Sequence, residues 1–222
     1  MAVPVSVVIP ALDEEERIGA TIDAAFAAGA AEVLVADGGS RDATVRVAES
    51  HGARMVTGEH VRARQLNRAA ELAQHDALVF LHADTLLPLA AIDAVQRALA
   101  SGRVFGGFRL AFAEPGLRFV AFLINLRTRI TRAPWGDQAQ FASRDAFTRA
   151  GGYPDLPIME DYELARRMKR AGHVAVLPLT VITSGRRFLR KGVVRTTALN
   201  WLIIASFHLG ISPEKLAKWY RG

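Results

Sequence analysis

The sequence predicts an α/β fold in which a mixed, mostly parallel β-sheet is flanked by helices. Short β-branched runs alternate with helix-like segments through the first hundred residues, and the last thirty residues form apolar helices. No linker, repeat or low-complexity segment interrupts the chain. We therefore expect one domain over residues 1–222, with a first half (1–100), a second half (101–190) and C-terminal helices (191–222).

Strands and helices alternate in the first half. The predicted strands are Val5–Ile9, Glu32–Ala36, Ala53–Thr57 and Ala77–Leu81, and the predicted helices cover 13–28, 42–51, 62–74 and 89–101. Asp13 is expected to cap the first helix, with three glutamates in its first turn, where the helix dipole favours acids. Right-handed crossovers would bring these strands together in a parallel sheet.

The second half loses this alternation. Strands are predicted at 104–112, 138–143 and 174–177, helices at 116–131, 160–171, 193–209 and 213–220, and a basic loop at 186–192. The helices at 116–131 and 193–209 are apolar but carry arginines. They suit either the protein core or a membrane interface, and neither is apolar enough to cross a bilayer.

Composition and charge exclude several classes of protein. The chain has no cysteine, which excludes disulfide scaffolds, thiol nucleophiles and iron–sulfur clusters. Residues 1–100 have a net charge of −6 and residues 101–222 a net charge of +12, within a total of +6. The basic half predicts an anionic partner such as phosphate or a lipid surface. Nucleic acid is disfavoured, because the basic residues accompany apolar helices rather than a reader motif.

Polar clusters follow three of the predicted parallel strands, at Pro10–Glu14, Asp37–Ser40 and His82–Asp84. Ligands of open α/β sheets bind at this edge, although each cluster taken alone could be an ordinary capped turn. The clusters contain no GxGxxG motif and no P-loop lysine. Asp37 is suited to hydrogen-bonding a base or a ribose. Asp84 is suited to a hard divalent cation shared with substrate phosphates, and His82 could assist it or be structural.

Two clusters of the second half are further candidates. Trp135 offers a stacking face, and Asp137 and Gln138 offer partners for hydroxyl groups; the alternative is a packed turn. Ser184–Arg187 follows the last predicted strand. It is either a basic segment that closes over phosphates or a solvated loop.

These motifs together resemble family 2 glycosyltransferases of the Rossmann-like GT-A fold. The resemblance covers roughly residues 3–185 and rests on five segments: 5–16, 35–42, 80–84, 151–154 and 159–167. Three further segments resemble a bacterial subgroup linked to arsenosugar biosynthesis gene neighbourhoods: Gly136–Gln138, Pro157–Asp161 and Leu209–Lys215. The first half would then bind a nucleotide, and the second half would contain the acceptor and catalytic side.

The resemblance implies a metal-dependent, inverting transfer from a UDP- or GDP-sugar to a hydroxyl of a lipid or small molecule, with Mg²⁺ or Mn²⁺. Asp161 would be the general base, next to Glu160, and Asp84 the metal ligand. The acceptor would meet Trp135, Gly136, Asp137 and Gln138. The donor would contact Pro10, Ala11, Leu12, Glu14, Asp37, Gly38, Ser40, Arg62 or Arg64, His82, Ala83, Arg186 and Arg187.

One position departs from the family pattern. His82 stands where the family's Asp-x-Asp motif has its first acid, so we expect weaker metal binding, or binding that depends on Asp84 and the phosphates.

Two alternatives stay open at this stage. A nucleotidyltransferase is disfavoured by the acidic residues 13–16, where a triphosphate would need a glycine-rich basic loop. The other is a non-catalytic binder of anionic membrane surfaces. No signal peptide is predicted, and a cytoplasmic location is expected, with or without peripheral contact at the inner face of the membrane.

Overall fold

One eight-stranded sheet runs through both halves of the chain. A computed structural model describes residues 3–221, so the outer bounds predicted for the domain, residues 1 and 222, lie outside the described residues. The strands are β1 (Val5–Ala11), β2 (Glu32–Asp37), β3 (Arg54–Val56), β4 (Ala77–Phe80), β5 (Thr85–Leu86), β6 (Arg103–Phe112), β7 (Gln140–Ser143) and β8 (His173–Thr183).

Helices cover the sheet and extend beyond it at the C-terminal end. They are α1 (Ile18–Ala27), α2 (Thr44–Ser50), α3 (Arg62–Leu72), α4 (Ala91–Ala100), α5 (Arg118–Thr131), α6 (Arg144–Arg149), α7 (Glu160–Ala171), α8 (Arg186–Lys191), α9 (Val193–His208) and α10 (Pro213–Arg221). Two 3₁₀ turns lie at Pro115–Leu117 and Gly136–Gln138.

The strand order is β3-β2-β1-β4-β7-β6-β8-β5. Strands β3, β2, β1 and β4 are parallel, β7 runs antiparallel between β4 and β6, and β8 is parallel to β6 and antiparallel to β5. The predicted fold class, a mixed and mostly parallel sheet flanked by helices, is confirmed.

The central strands are apolar because both faces of the sheet are covered. Val7 and Ile9 of β1 face a core that includes Ile22 of α1 and Ile92 of α4. Val8, on the opposite face, belongs to a second core shared with α3 and α7. Since successive side chains point to opposite faces of a strand, β1 contributes to both cores and fixes the edge at which its carboxyl end emerges.

The first helix begins later than predicted. Asp13 does not cap it: this residue has φ 52°, and its carboxylate accepts a hydrogen bond from the Arg41 N–H at 2.8 Å. Helix α1 starts at Ile18 and has no acid in its first turn. The three glutamates therefore belong to a loop that is tied to the loop after β2.

The region predicted as a basic loop, 186–192, is instead mostly helix α8, which ends before Gly192 at φ 86°. Strand β8 is also longer than predicted, because it pairs with β6 along its length and with β5 at its end. Strand β5 and helix α6 were not predicted from the sequence. Within residues 3–221, no helix is both long and apolar enough to cross a membrane.

Candidate active site

The loops after β1 and β2 form one hydrogen-bonded edge. The Gly38 N–H donates to the Ala11 carbonyl at 2.8 Å, and the Asp13 N–H donates to Ser40 Oγ at 2.9 Å. Pro10 is paired in register with Ala36, and the Leu12 side chain is exposed. The predicted nucleotide segments 10–14 and 37–40 are thus brought together.

Asp37 shapes the turn that follows β2. Its carboxylate accepts hydrogen bonds from the Gly39 N–H at 2.8 Å and from the Ser40 N–H and hydroxyl, and the residue is 7% exposed. A Cβ at Gly38 would lie 2.4 Å from the Gln65 side chain, so the turn packs closely on α3. Because local donors already use several lone pairs of the carboxylate, the main structural role of Asp37 is to stabilise this turn.

Pairing of β5 with β8 brings the basic segment to Asp84. Thr85 and Thr183 are register partners, and the Ser184 N–H donates to the Asp84 carbonyl at 3.2 Å. At the start of α8, Arg186 pairs with Glu14 and lies 3.4 Å from Asp84 Oδ2. Burial raises the pKa of Asp84, and the Arg186 charge opposes that shift. The end of β8 and the start of β5 therefore meet at the Asp84 carboxylate.

Asp84 fits a divalent cation only together with other oxygen donors. Among residues 3–221, no group of three or more His, Asp or Glu side chains is arranged to hold a metal ion. Mg²⁺ commonly binds to one or two carboxylates together with substrate phosphates. One carboxylate at the strand end is compatible with that arrangement, and the ligands not supplied by protein would be phosphates and water.

His82 contacts an arginine. The Arg62 guanidinium donates to His82 Nε2, which therefore accepts, since a guanidinium has no acceptor atom. Burial, and then the charges of Arg62 and Arg186, lower the pKa of His82 well below its ordinary value. The imidazole is neutral at pH 7, and its Nε2 is used by Arg62. The Ala83 side chain is buried, and its carbonyl accepts a hydrogen bond from Thr21.

The candidate base lies at the start of α7. Asp161 Oδ2 accepts the Gly136 N–H at 2.7 Å, and Oδ1 accepts the Tyr162 N–H at 2.7 Å. The helix dipole favours negative charge here. Glu160 is 5% exposed and lies 3.2 Å from Arg62 Nη1. Burial raises the pKa of Glu160, although the Arg62 charge opposes this shift.

Gly136 is the point at which these groups meet. A Cβ built on it would lie 2.8 Å from Arg62 Nη2, 2.9 Å from His82 Nε2 and 3.0 Å from Asp161 Oδ2. Only glycine permits this approach of three side chains, which come from α3, from the end of β4 and from α7. We call Arg62, His82, Gly136, Glu160 and Asp161 the glycine-centred cluster.

Trp135 and Asp137 flank the cluster on the predicted acceptor side. The Arg127 guanidinium lies 3.6 Å from the centroid of the Trp135 ring. Burial raises the pKa of Asp137 to about 6, while the Arg127 charge opposes the shift. No hydrogen-bond partner among the described residues reaches the buried Asp137 Oδ1.

Two residues that were predicted to contact a substrate have other partners in the structure. Gln138 is fully buried and bonds to the Phe108 carbonyl and the Thr128 hydroxyl, so its side chain fixes the turn rather than an acceptor. Arg64 points away from the site and pairs with exposed Asp155, whereas Arg62, two residues earlier, enters the cluster. Helical geometry separates the directions of these two side chains by roughly 200°.

Arg187 faces the same cavity as the cluster. Its guanidinium lies 3.3 Å from the centroid of the Tyr220 ring, and burial lowers its pKa to about 10. Several other residues that line this cavity, among them Arg127, Thr196 and Ile203, could not be assigned to a site from the sequence. The one available signal was an arginine within the apolar helix at 116–131.

Comparison with known proteins defines the class. The sequence profile of glycosyl transferase family 2 matches residues 6–149, and the chain belongs to this family. The predicted enzyme class, a glycosyltransferase, and the predicted GT-A fold are both confirmed. Among curated proteins, no sequence matches the chain.

The chain is similar in structure to glucosyl-3-phosphoglycerate synthase from Mycobacterium tuberculosis. A complex of that protein with Mn²⁺, UDP and glucosyl-3-phosphoglycerate superposes with a TM-score of 0.62 at 23% identity, covering 90% of this chain and 79% of the other. A complex with Mg²⁺ and UDP gives a TM-score of 0.62 at 23% identity, with coverages of 90% and 78%. A further structure gives 0.59 at 24% identity, with coverages of 82% and 72%.

Proposed function

We propose that the protein transfers a sugar, with inversion, from a nucleotide-diphosphate sugar to an acceptor hydroxyl. The observation that carries this proposal is the glycine-centred cluster, in which the Asp161 carboxylate and His82 both lie close to Gly136, and His82 is two residues before Asp84 in the segment that follows β4. Sites of open α/β sheets lie at the carboxyl ends of the strands. Family membership favours sugar transfer over nucleotidyl transfer or a purely non-catalytic role.

Asp161 acts as the general base in this proposal. Each of its oxygens accepts one backbone N–H and keeps a lone pair, so the carboxylate is oriented and can still accept a proton. It takes the proton of the acceptor hydroxyl as that oxygen attacks the anomeric carbon. The bond from this carbon to the diphosphate oxygen breaks, and its electron pair leaves with the nucleoside diphosphate. Attack from the face opposite the leaving group inverts the configuration.

The departing diphosphate needs positive charge where its own negative charge develops. Asp84 would hold a divalent cation together with the diphosphate, and a bound cation supplies charge stabilisation. Arg186 and Arg187 place two guanidinium groups at the start of α8, beside Asp84 and the cavity. The complexes of the mycobacterial synthase with Mn²⁺ or Mg²⁺ and UDP support a metal and a uridine donor.

Structures of the mycobacterial synthase support the proposed donor more directly than the proposed acceptor. UDP-glucose complexes of the mycobacterial synthase make a UDP-sugar the first donor to test, with GDP-sugars second. That protein was crystallised with phosphoglyceric acid; for the present chain a hydroxyl acceptor is proposed. Membership of the arsenosugar-linked subgroup and a cytoplasmic location stay predictions.

Replacing the candidate base tests this mechanism. Asp161→Asn keeps the size of the side chain but removes its basicity, so turnover should fall by about 10²- to 10⁴-fold. The affinity for the nucleoside diphosphate, measured by calorimetry, should not change. The matched control is Asp155→Asn, an exposed carboxylate that pairs with Arg64. Unchanged turnover in Asp161→Asn would show that another group is the base.

A peripheral contact with anionic lipid is a second proposal, carried by the outer face of α5. Phe119 and Ile130 are 69% and 74% exposed. Next to them, a groove of about 720 Å³ is lined by apolar residues, one asparagine and four arginines, with no acid: Arg103, Arg109, Phe122, Asn125, Leu126, Arg129, Arg132, Val174, Ala175 and Val176. Arginines around apolar side chains suit an anionic bilayer surface.

Sedimentation with vesicles tests the lipid contact. The protein should sediment with phosphatidylglycerol vesicles at low salt and be released at about 0.5 M salt, because screening weakens the attraction. Phe119→Ser should weaken binding, whereas Leu89→Ser, an exposed apolar residue of the acidic half, should not. Absence of binding at low salt would refute the proposal.

A further inference from the structure

The glycine-centred cluster opens into a cavity of about 620 Å³. Asp84, His82 and Asp161 line this cavity, and residues of α5, α8 and α9 line it as well. The volume is in the range of sites that enclose small molecules. The C-terminal helices therefore form a wall of the candidate active site, in addition to any surface role.

Much of the remaining lining of the cavity is apolar. Three helices and the segment before α7 contribute apolar residues to it, among them Leu123, Ile124, Met159, Phe188, Ile203 and Ile204. Of these residues, Ile203 and Met159 also pack with Leu216 of α10, so the wall is anchored to its own core. Apolar surface of this kind favours a ligand with an apolar body, because burying each methylene removes it from water.

The charged groups that line the cavity do not favour an anionic acceptor. Asp84, Asp137, Glu160 and Asp161 are its carboxyl groups. Of the arginines, Arg62 pairs with Glu160. The Arg127 guanidinium stacks on the Trp135 ring and interacts electrostatically with Asp137. Arg187 stacks on the Tyr220 ring. The lining has four carboxyl groups and three arginines, so an anion on the acceptor would add negative charge where carboxyl groups already outnumber arginines.

Buried polar atoms in the wall point to a ligand that also has a polar part. Thr196 of α9 is 1% exposed, and its hydroxyl has no hydrogen-bond partner within residues 3–221. The hydroxyl of Thr197 is in the same situation, and both residues line the cavity. Buried polar atoms in proteins are usually hydrogen-bonded. A ligand hydroxyl would provide the partner that the protein does not.

We infer that the acceptor is an uncharged alcohol with an apolar body. Its body lies against α5, α8 and α9, and the reacting hydroxyl lies at Asp161. This inference rests on the proposed function, because it assigns the cavity to the acceptor. The bond changes are those given above: the alcohol oxygen bonds to the anomeric carbon, its proton goes to Asp161, and the nucleoside diphosphate leaves.

Binding of straight-chain alcohols tests the cavity without any donor. Trp135 and Trp201 line it, so their fluorescence reports binding in a Trp219→Phe background. From butanol to octanol, the dissociation constant should fall by about fourfold for each added methylene. Octanoate, which has the same chain length and a negative charge, should bind at least about tenfold more weakly than octanol.

Paired variants on two helices locate the binding site. Ile204→Ser on α9 and Leu123→Ser on α5 change wall residues that are only partly buried, so the fold should tolerate them. Each should weaken octanol binding by about tenfold. The matched controls, Leu202→Ser and Leu126→Ser, change exposed residues of the same helices outside the cavity and should have no effect.

The transfer reaction separates this inference from the proposed function. With a donor that the enzyme hydrolyses, kcat/KM should rise from methanol to octanol. Hydrolysis of the donor without any chain-length preference, or a preference for octanoate or for 3-phosphoglycerate, would overturn the acceptor assignment and leave glycosyl transfer standing. Failure to hydrolyse any donor would overturn the proposed function, whatever the alcohols do. Wall variants that bind octanol like their controls would also overturn the assignment.

Discussion

The two halves of the molecule treat apolar surface differently. Among the described residues, five large apolar side chains are exposed before residue 101 and eleven after it. The acidic first half buries its parallel strands on both faces and presents short loops whose donors and acceptors are joined to one another. The basic second half leaves apolar helix surface uncovered, both inside the cavity and on α5.

This difference indicates that the two halves bind different kinds of ligand. Loops held by backbone hydrogen bonds suit a donor whose diphosphate and base are constant features. Apolar helix surface suits partners that are recognised by burial rather than by directed hydrogen bonds. The glycine-centred cluster lies where the halves meet, since Arg62 and His82 come from the first half and Asp161 from the second.

The largest expected effect is at the junction itself. Gly136→Ala would push the ends of the Arg62, His82 and Asp161 side chains apart. These ends are flexible, so the fold should survive, but misplacement of Asp161, the proposed base, by about 1 Å should cost about 100-fold in rate. The measurement is kcat/KM for donor hydrolysis, with Gly116→Ala as a control because a Cβ there has open space. Equal rates for the two variants would show that the junction is not part of the active site.

Two arginines of α3 pair with carboxylates of the second half, and their removal should lower the free energy of unfolding by different amounts. Arg62→Ala leaves Glu160, which is 5% exposed, without its cation, and should lower the free energy of unfolding by about 2 kcal/mol. Arg64→Ala breaks a pair in which both side chains are about half exposed, so solvent screens the interaction and the loss of stability should be much smaller than for Arg62→Ala. Urea denaturation measures both. The same loss for the two variants would contradict the burial of the Arg62–Glu160 pair.

The buried Asp137 carboxyl should make the free energy of unfolding depend on pH. Its pKa is about 6 in the folded protein against 3.8 for an unperturbed group, so the unfolded chain loses this proton first as pH rises. The free energy of unfolding should therefore fall between about pH 4 and pH 6. Asp137→Asn removes this term and should be more stable than the parent by about 1–2 kcal/mol at pH 7, with little difference at pH 4. The control is exposed Asp76→Asn; parallel pH profiles for parent and Asp137→Asn would contradict the prediction.

A smaller effect is expected at the metal side of the first half. His82→Asp adds the acid that the family motif has at this position. The apparent affinity for Mn²⁺, measured as the concentration for half-maximal donor hydrolysis, should rise on the order of tenfold. His82→Asn, which adds no charge, is the control. An unchanged metal requirement in His82→Asp would show that residue 82 does not affect the metal.

The first half was largely predictable from the sequence because its strands are short, β-branched and bounded by polar turns. Each strand end could be named before the fold was known, and the register of β1 with β2 brings those ends together. The start of α1 and the short strand β5 were the exceptions. Asp13 is held by a backbone N–H from residue 41, a contact between loops that local capping rules do not contain.

The acceptor side was less predictable because distant contacts build it. Gln138 is suited by type to binding hydroxyl groups, yet the close packing of its turn on Phe108 and Thr128 buries it. Helix α8 was predicted as a loop, since arginines at 186, 187 and 190 mask its packing of Phe188 against Leu117. The apolar wall from α9 depends on tertiary placement that helical periodicity alone does not specify.

Release of nucleoside diphosphate from a panel of UDP- and GDP-sugars tests the central claim most directly. With Mg²⁺ or Mn²⁺ present, at least one donor should be hydrolysed, and removal of the metal with EDTA or the substitution Asp84→Asn should abolish release. Donor hydrolysis that is unaffected by both treatments would contradict the assigned metal site. Failure to hydrolyse any donor with either metal would contradict glycosyl transfer from a nucleotide sugar.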